Sequence, residues 1–147
     1  MEARHPIALL VVLCGLLCGC GGSAASPPKY VAEGDGICAG DLAQLNRLPQ
    51  PSSPEQAVSY LPKALTIMQG ETDRLATLDP PAANQVELTA ALQSARRLAT
   101  VLRDTLHELR SGVVELGTLA QAQAQSDALR RTLDARFRDA GLARCAE

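Results

Sequence analysis

Few side chains in this sequence are reactive or ligating: five cysteines, two histidines and a periodic set of arginines. A thiol or an imidazole acts chemically only with partners at the right spacing. A zinc site needs several convergent donors, and a di-iron bundle needs Glu-x-x-His pairs on two helices. His107 is the only histidine after the first few residues, so neither site can be assembled. There is no CxxC, no haem-attaching CxxCH and no GxSxG. A hydrolase triad needs a histidine partnered with Ser or Cys, and no such set is indicated. His107 follows Leu106 off the apolar stripe of its helix and is expected in solvent. Met68 is in register with an apolar stripe, which points to core packing rather than to haem ligation opposite His107. No pair of carboxylates stands out for general acid–base work. The expectation is a chain that is not an enzyme and holds no metal or cofactor.

Arg96, Arg103 and Arg110 recur every seven residues and so share one stripe of a helix. Such a strip could dock an anionic partner, either lipid headgroups or an acidic envelope polymer. The reading preferred from sequence is a solvated face whose arginines pair with acids on neighbouring helices. The last third of the chain offers ordinary pairs of this sort: Asp127 with Arg131, Arg130 with Asp134, and Asp134 with Arg138, each four apart. Nucleic acid is not an expected partner. The net charge is -2 and aromatics make up 2% of the residues, so both phosphate neutralisation and base stacking lack means.

Three of the cysteines lie together near the start. Arg4 gives a short basic region, and Ile7 to Leu17 is an apolar run broken only by Cys14 and Gly15. That run is too short to span a bilayer stably and has the length of a signal-peptide core. It ends in Leu17-Cys18-Gly19-Cys20, which resembles the lipobox of bacterial lipoproteins. There an aliphatic residue and two small ones precede the cysteine that receives diacylglycerol. Leu17 fits three places before that cysteine and Gly19 one place before. Cys18 between them is small, though less usual there. Cys14 and Cys18 are poorer acceptors, because a bulky leucine precedes each. The expectation is cleavage before Cys20, acylation of Cys20, and a protein held at the extracytoplasmic face of the cell membrane. Gly21 to Pro28 has the composition of a flexible tether, with a typical reach of about 15 Å.

Cys38 and Cys145 remain, one near each end of what would be the mature domain. An exported protein meets an oxidising compartment, where such a pair is expected to form a disulfide.

The elements that position these residues read as helices. Leu, Ala, Gln, Glu and Arg dominate, and β-branched and aromatic residues are sparse. A first helix is expected over Val31 to Leu48, with inner positions at Ile37, Leu42, Leu45 and Leu48 and weak points at Gly34, Gly36 and Gly40. A second runs from Pro54 to Leu78, capped by Ser53 with Gln56 three residues on. Val58, Leu61, Leu65, Met68, Thr72 and Leu75 form its apolar face, and Pro62 is either a kink or a broken first turn. A third begins at Pro81 or Asn84 and ends at Arg110. Asn84 and Glu87 form a candidate cap, and Leu88, Leu92, Ala95, Ala99, Leu102, Leu106 and Leu109 alternate by four and three. A fourth runs from Val113 to Ala140, with Leu116, Ala120, Leu129, Leu133 and Phe137 inside and Gly141 as C-cap. The pattern also allows one long helix through Gly112.

These segments predict an all-α, antiparallel four-helix bundle of up-down-up-down topology. That topology brings the start of the first helix and the end of the fourth to one end, as a Cys38–Cys145 clasp requires. The domain boundaries expected are a signal peptide over 1–19, a lipidated cysteine and tether over 20–29, and the bundle over 30–147.

Three short stretches carry a resemblance: Tyr30-Val31-Ala32 running to Ile37-Cys38, then Leu78-Asp79-Pro80-Pro81-Ala82, and Ala140-Gly141-Leu142-Ala143-Arg144-Cys145. In these the chain resembles small extracytoplasmic helical lipoproteins of high-GC Gram-positive bacteria. The resemblance implies a helical bundle clasped by its opening and closing cysteines, outside the membrane, and implies no activity. The function expected is a non-catalytic interaction or structural module of the cell envelope, with a membrane-associated protein as partner. The alternative is a small-ligand carrier whose pocket is lined by Ala95, Ala99, Ala120 and Ala124.

Overall fold

A computed structural model of the chain describes residues 28–112 and 116–147. These form four helices, α1 (Lys29–Leu45), α2 (Pro54–Leu75), α3 (Ala82–Ser111) and α4 (Leu116–Asp139), followed by a 3₁₀ turn at Ala143–Ala146. The expected signal peptide, with Leu17, Gly19 and Cys20, falls outside the described residues.

α3 is the central element. It packs against α2 on one side and α4 on the other, while α1 packs against α2 and the C-terminal turn. Two flanking helices explain its wide buried face. Besides Leu88, Leu92, Ala95, Ala99 and Leu106, the expected stripe, Ala91, Ser94 and Leu98 are buried as well. α3 ends at Gly112, whose φ of 72° puts it in the left-handed region and rules out a single helix running on into α4. Asn84 and Glu87 do not cap α3, which begins two residues earlier behind Pro81. Instead, the Asn84 amide donates to the Ala140 carbonyl at 3.2 Å, and Glu87 accepts from Arg136 at 2.7 Å. Both tie α3 to the end of α4.

α2 starts as its sequence requires. The Ser53 hydroxyl accepts the Gln56 N–H at 3.3 Å, and the Gln56 side chain accepts from the Ser52 N–H at 2.8 Å. The helix passes through Pro62 without ending.

α1 differs from expectation in both length and face. It is shorter at its end by three residues, and the residues it buries are Tyr30, Gly34, Cys38 and Asp41. Leu42 and Leu45 are only half-buried. Gly34 lets the helix approach closely: a Cβ there would stand 2.6 Å from Leu142 Cδ2. Gly34 meets Leu78, and Asp41 meets Arg74. α1 therefore runs antiparallel to α2, alongside its C-terminal part.

The two ends of the bundle are built differently. At one end Tyr30, Cys38, Leu75, Leu88, Leu92, Phe137 and Leu142 form a closed core drawn from every helix and the terminal turn. The Tyr30 hydroxyl donates to the Ala140 carbonyl at 3.1 Å, and Cys38 is bonded to Cys145 across 107 residues. α4 stops there in a Schellman arrangement: Leu142 N–H to Phe137 O at 2.8 Å, Gly141 N–H to Arg138 O at 2.9 Å, with Gly141 at φ 80°. At the other end Leu65, Ala99 and Leu106, with Val58, Leu61 and Leu102 against them, form a second core, drawn among the described residues from α2 and α3.

Candidate functional site

The stagger of α1 leaves a space at that second end. Where a full-length first helix would lie, the chain runs through Pro49-Gln50-Pro51 to reach the start of α2. What remains is a cleft of about 740 Å³. Leu98, Leu102, Thr105 and Leu109 of α3 form its floor. One wall is Ala57, Tyr60 and Leu61 of α2, and the other is Ala122, Gln123 and Ser126 of α4. Asp127, Arg130, Ser52 and Ser53 make a polar rim. An apolar floor with a few polar groups at the edge is the make-up of a binding cleft. Its volume falls within the range of small-molecule sites, roughly 300–1,000 Å³.

The pocket expected from the sequence is not the one formed. Ala95 and Ala99 are buried in the packing of α3, Ala120 is exposed at the edge of the cleft, and Ala124 is exposed outside it. The floor is leucine rather than alanine: Leu98, Leu102 and Leu109 line the cleft, while Ala95 and Ala99 lie in the buried face of α3. His107 is exposed and Met68 half-buried, and neither lines the cleft. Among the described residues no three His, Cys, Asp or Glu side chains converge in a way that could hold a metal ion.

An ionic cluster built on a buried carboxylate joins α1 to α2, at positions that the hydropathy pattern does not single out. Asp41 is 1% exposed. Its carboxylate accepts from Gln44 Nε2 at 2.9 Å and is paired with the Arg74 guanidinium. Glu71, one turn before Arg74, is largely buried beside them. Burial first, and then the Asp41 carboxylate, push its pKa up to about 7, with Arg74 opposing. A signal for this cluster was present: a buried Cys38 sets the phase of α1 and turns residues 34 and 41 inward with it.

The three arginines of the strip are exposed on α3. The pairing expected for them is not made. Among the described residues none meets a carboxylate, and Arg103 donates only to the Thr100 hydroxyl, at 3.5 Å. The three spaced pairs expected along α4 are not made either. Asp127 accepts from Gln123 at 3.0 Å, while Arg130 and Arg138 reach the carbonyls of Glu147 and Ala146 at 3.4 and 3.5 Å. The terminal turn folds back beside α4 and offers carbonyl oxygens that sequence spacing does not reveal.

No family model, no curated protein and no solved structure matches this chain. None of the described helices is long and apolar enough to cross a membrane.

Proposed function

We propose that the protein is an extracytoplasmic lipoprotein, anchored to the cell membrane through Cys20, that works as a non-catalytic interaction module of the cell envelope. Leu17-Cys18-Gly19-Cys20 at the end of a short apolar run supports the anchor, and the oxidised Cys38–Cys145 pair suits an exported chain. The observation that carries the interaction role is the cleft between α2 and α4. It is an open trough along α3 with a leucine floor and polar edges, the form that receives the apolar face of a partner helix.

The volume of that cleft favours a second reading, a small-ligand carrier. The two part in one experiment. The tagged chain is crosslinked in cells and its adducts read by mass spectrometry, beside a Cys20→Ala control. The expected outcome is a reproducible protein partner that is lost when the anchor is removed. A correctly lipidated, oxidised chain that yields no partner sinks the interaction reading and moves the assignment to the carrier.

A further inference from the structure

We infer that the outer face of α3 is a docking surface for an anionic lipid bilayer, so that the anchored bundle lies with this helix against the headgroups. The inference rests on the anchor reading above. Arg96, Arg103 and Arg110 extend over 14 residues, about 21 Å of helix. Thr100 and His107 lie between them on the same stripe, and both are exposed. The nearest acids on this helix, Asp104 and Glu108, fall about 80° and 120° round it, off the stripe, by the helical repeat. Among the described elements α2 and α4 pack against α3, and α1 sits beyond α2 with the terminal turn, so no described element covers the exposed stripe.

In a domain with a slight excess of acids, a straight row of three cations, with no carboxylate against any of them among the described residues, is a concentration of one charge that internal pairing does not account for. A guanidinium bonds a phosphate diester through two parallel N–H donors, which suits arginine over lysine at a headgroup surface. Each basic residue near an anionic surface contributes about 1 kcal/mol, equivalent to roughly 100-fold for three together. The point where the tether joins the domain is close enough to permit this. Val31 Cγ2 and Asn84 Nδ2 both come within 4.0 Å of the Cβ position of Gly141, so the start of α1 stands beside the start of α3.

The test is arginine footprinting with phenylglyoxal on the full chain isolated from membranes and reconstituted into vesicles. One set is pure phosphatidylcholine and the other contains about a third phosphatidylglycerol. Mass spectrometry reads each arginine separately, and the mass of the peptide holding Cys20 reports the anchor independently. The expected result is protection of Arg96, Arg103 and Arg110 by about tenfold or more in the anionic vesicles alone. The exposed Arg47 and Arg131 should react equally in both sets. Arg103→Glu, an exposed substitution, should return Arg96 and Arg110 to the level of Arg131.

Equal reaction of the strip in the two lipids overturns the inference whatever Cys20 carries. So does equal protection by inorganic phosphate, which would make the strip a site for single phosphates. So does protection by a soluble acidic polymer but not by vesicles. An unmodified Cys20 with a protected strip would remove the anchor and keep the surface.

Discussion

Asp41 is held almost wholly out of solvent by one guanidinium and one amide, and its neighbour Glu71 brings a second carboxylate to the same cation. Two acids facing one base at a helix contact make that contact depend on pH. Glu71 carries a folded-state pKa of about 7 against an ordinary value of 4.5. Below about pH 4.5 it is neutral in both states and adds nothing to the difference. Between 4.5 and 7 the unfolded chain loses its proton while the folded chain keeps it, so stability falls as pH rises. Above 7 the loss is complete and levels off. The groups facing Glu71 are Asp41 from α1 and Arg74 from its own helix. The expected loss across this window is on the order of 3 kcal/mol. Urea unfolding of the wild type and of Glu71→Gln between pH 4.5 and 8 checks it. The variant should follow a flatter profile over this range, and identical profiles would refute the assignment.

Among the elements, α1 depends most on what lies outside it. It carries three glycines, has no side-chain N-cap and buries a carboxylate, so its own propensity contributes little. It is fixed by contacts at chain separations above 100 residues: the disulfide, the Tyr30 hydroxyl on Ala140, and Asp35 accepting from the Arg144 N–H at 3.0 Å. A bridge closing 107 residues restricts the unfolded chain by roughly 4–5 kcal/mol in the loop-closure treatment. The Cys38→Ser, Cys145→Ser double variant is expected to lose stability of about that size and to release α1 before the other helices. Amide exchange within 29–45 that rises ahead of exchange in α3 would show this order. Simultaneous release of all four helices would show that α1 stands on packing alone.

The same contrast separates what could be read from the sequence. α3 was legible because its buried residues are leucines and alanines at regular spacing, and so were the Ser53 cap, the Gly141 stop and the cysteine pairing. The buried face of α1 was hidden because Gly34 and Asp41 are inside for reasons of close approach and ion pairing, to which a hydropathy pattern is blind. The arginines of the outer strip were visible, but whether acids met them depended on neighbouring helices that spacing does not place.

At the scale of the molecule, the bundle is closed at one end and open at the other. Ala91, Leu75, Ala140 and Leu142 at the closed end are 0% exposed, whereas Leu61, Leu102 and Leu109 around the cleft remain half-buried. This asymmetry follows from the length and stagger of α1, a tertiary fact that no local pattern in α2, α3 or α4 contains. It is why leucines assigned to a core line a cleft instead. Among the described residues the apolar side chains around the cleft are less fully buried than those of the closed end, which lowers local stability there. Amides of α3 near Leu88 to Leu92 are expected to exchange only through global opening. Those near Leu102 to Leu109 should open locally at a free energy lower by about 1–3 kcal/mol. A molecule that occupied the cleft would raise the second group toward the first and leave the first unchanged. Native-state hydrogen exchange along α3 measures both groups in one experiment. Uniform protection from Leu88 to Leu109 in the free protein would mean that the cleft is closed in solution and that recognition takes place elsewhere on the surface.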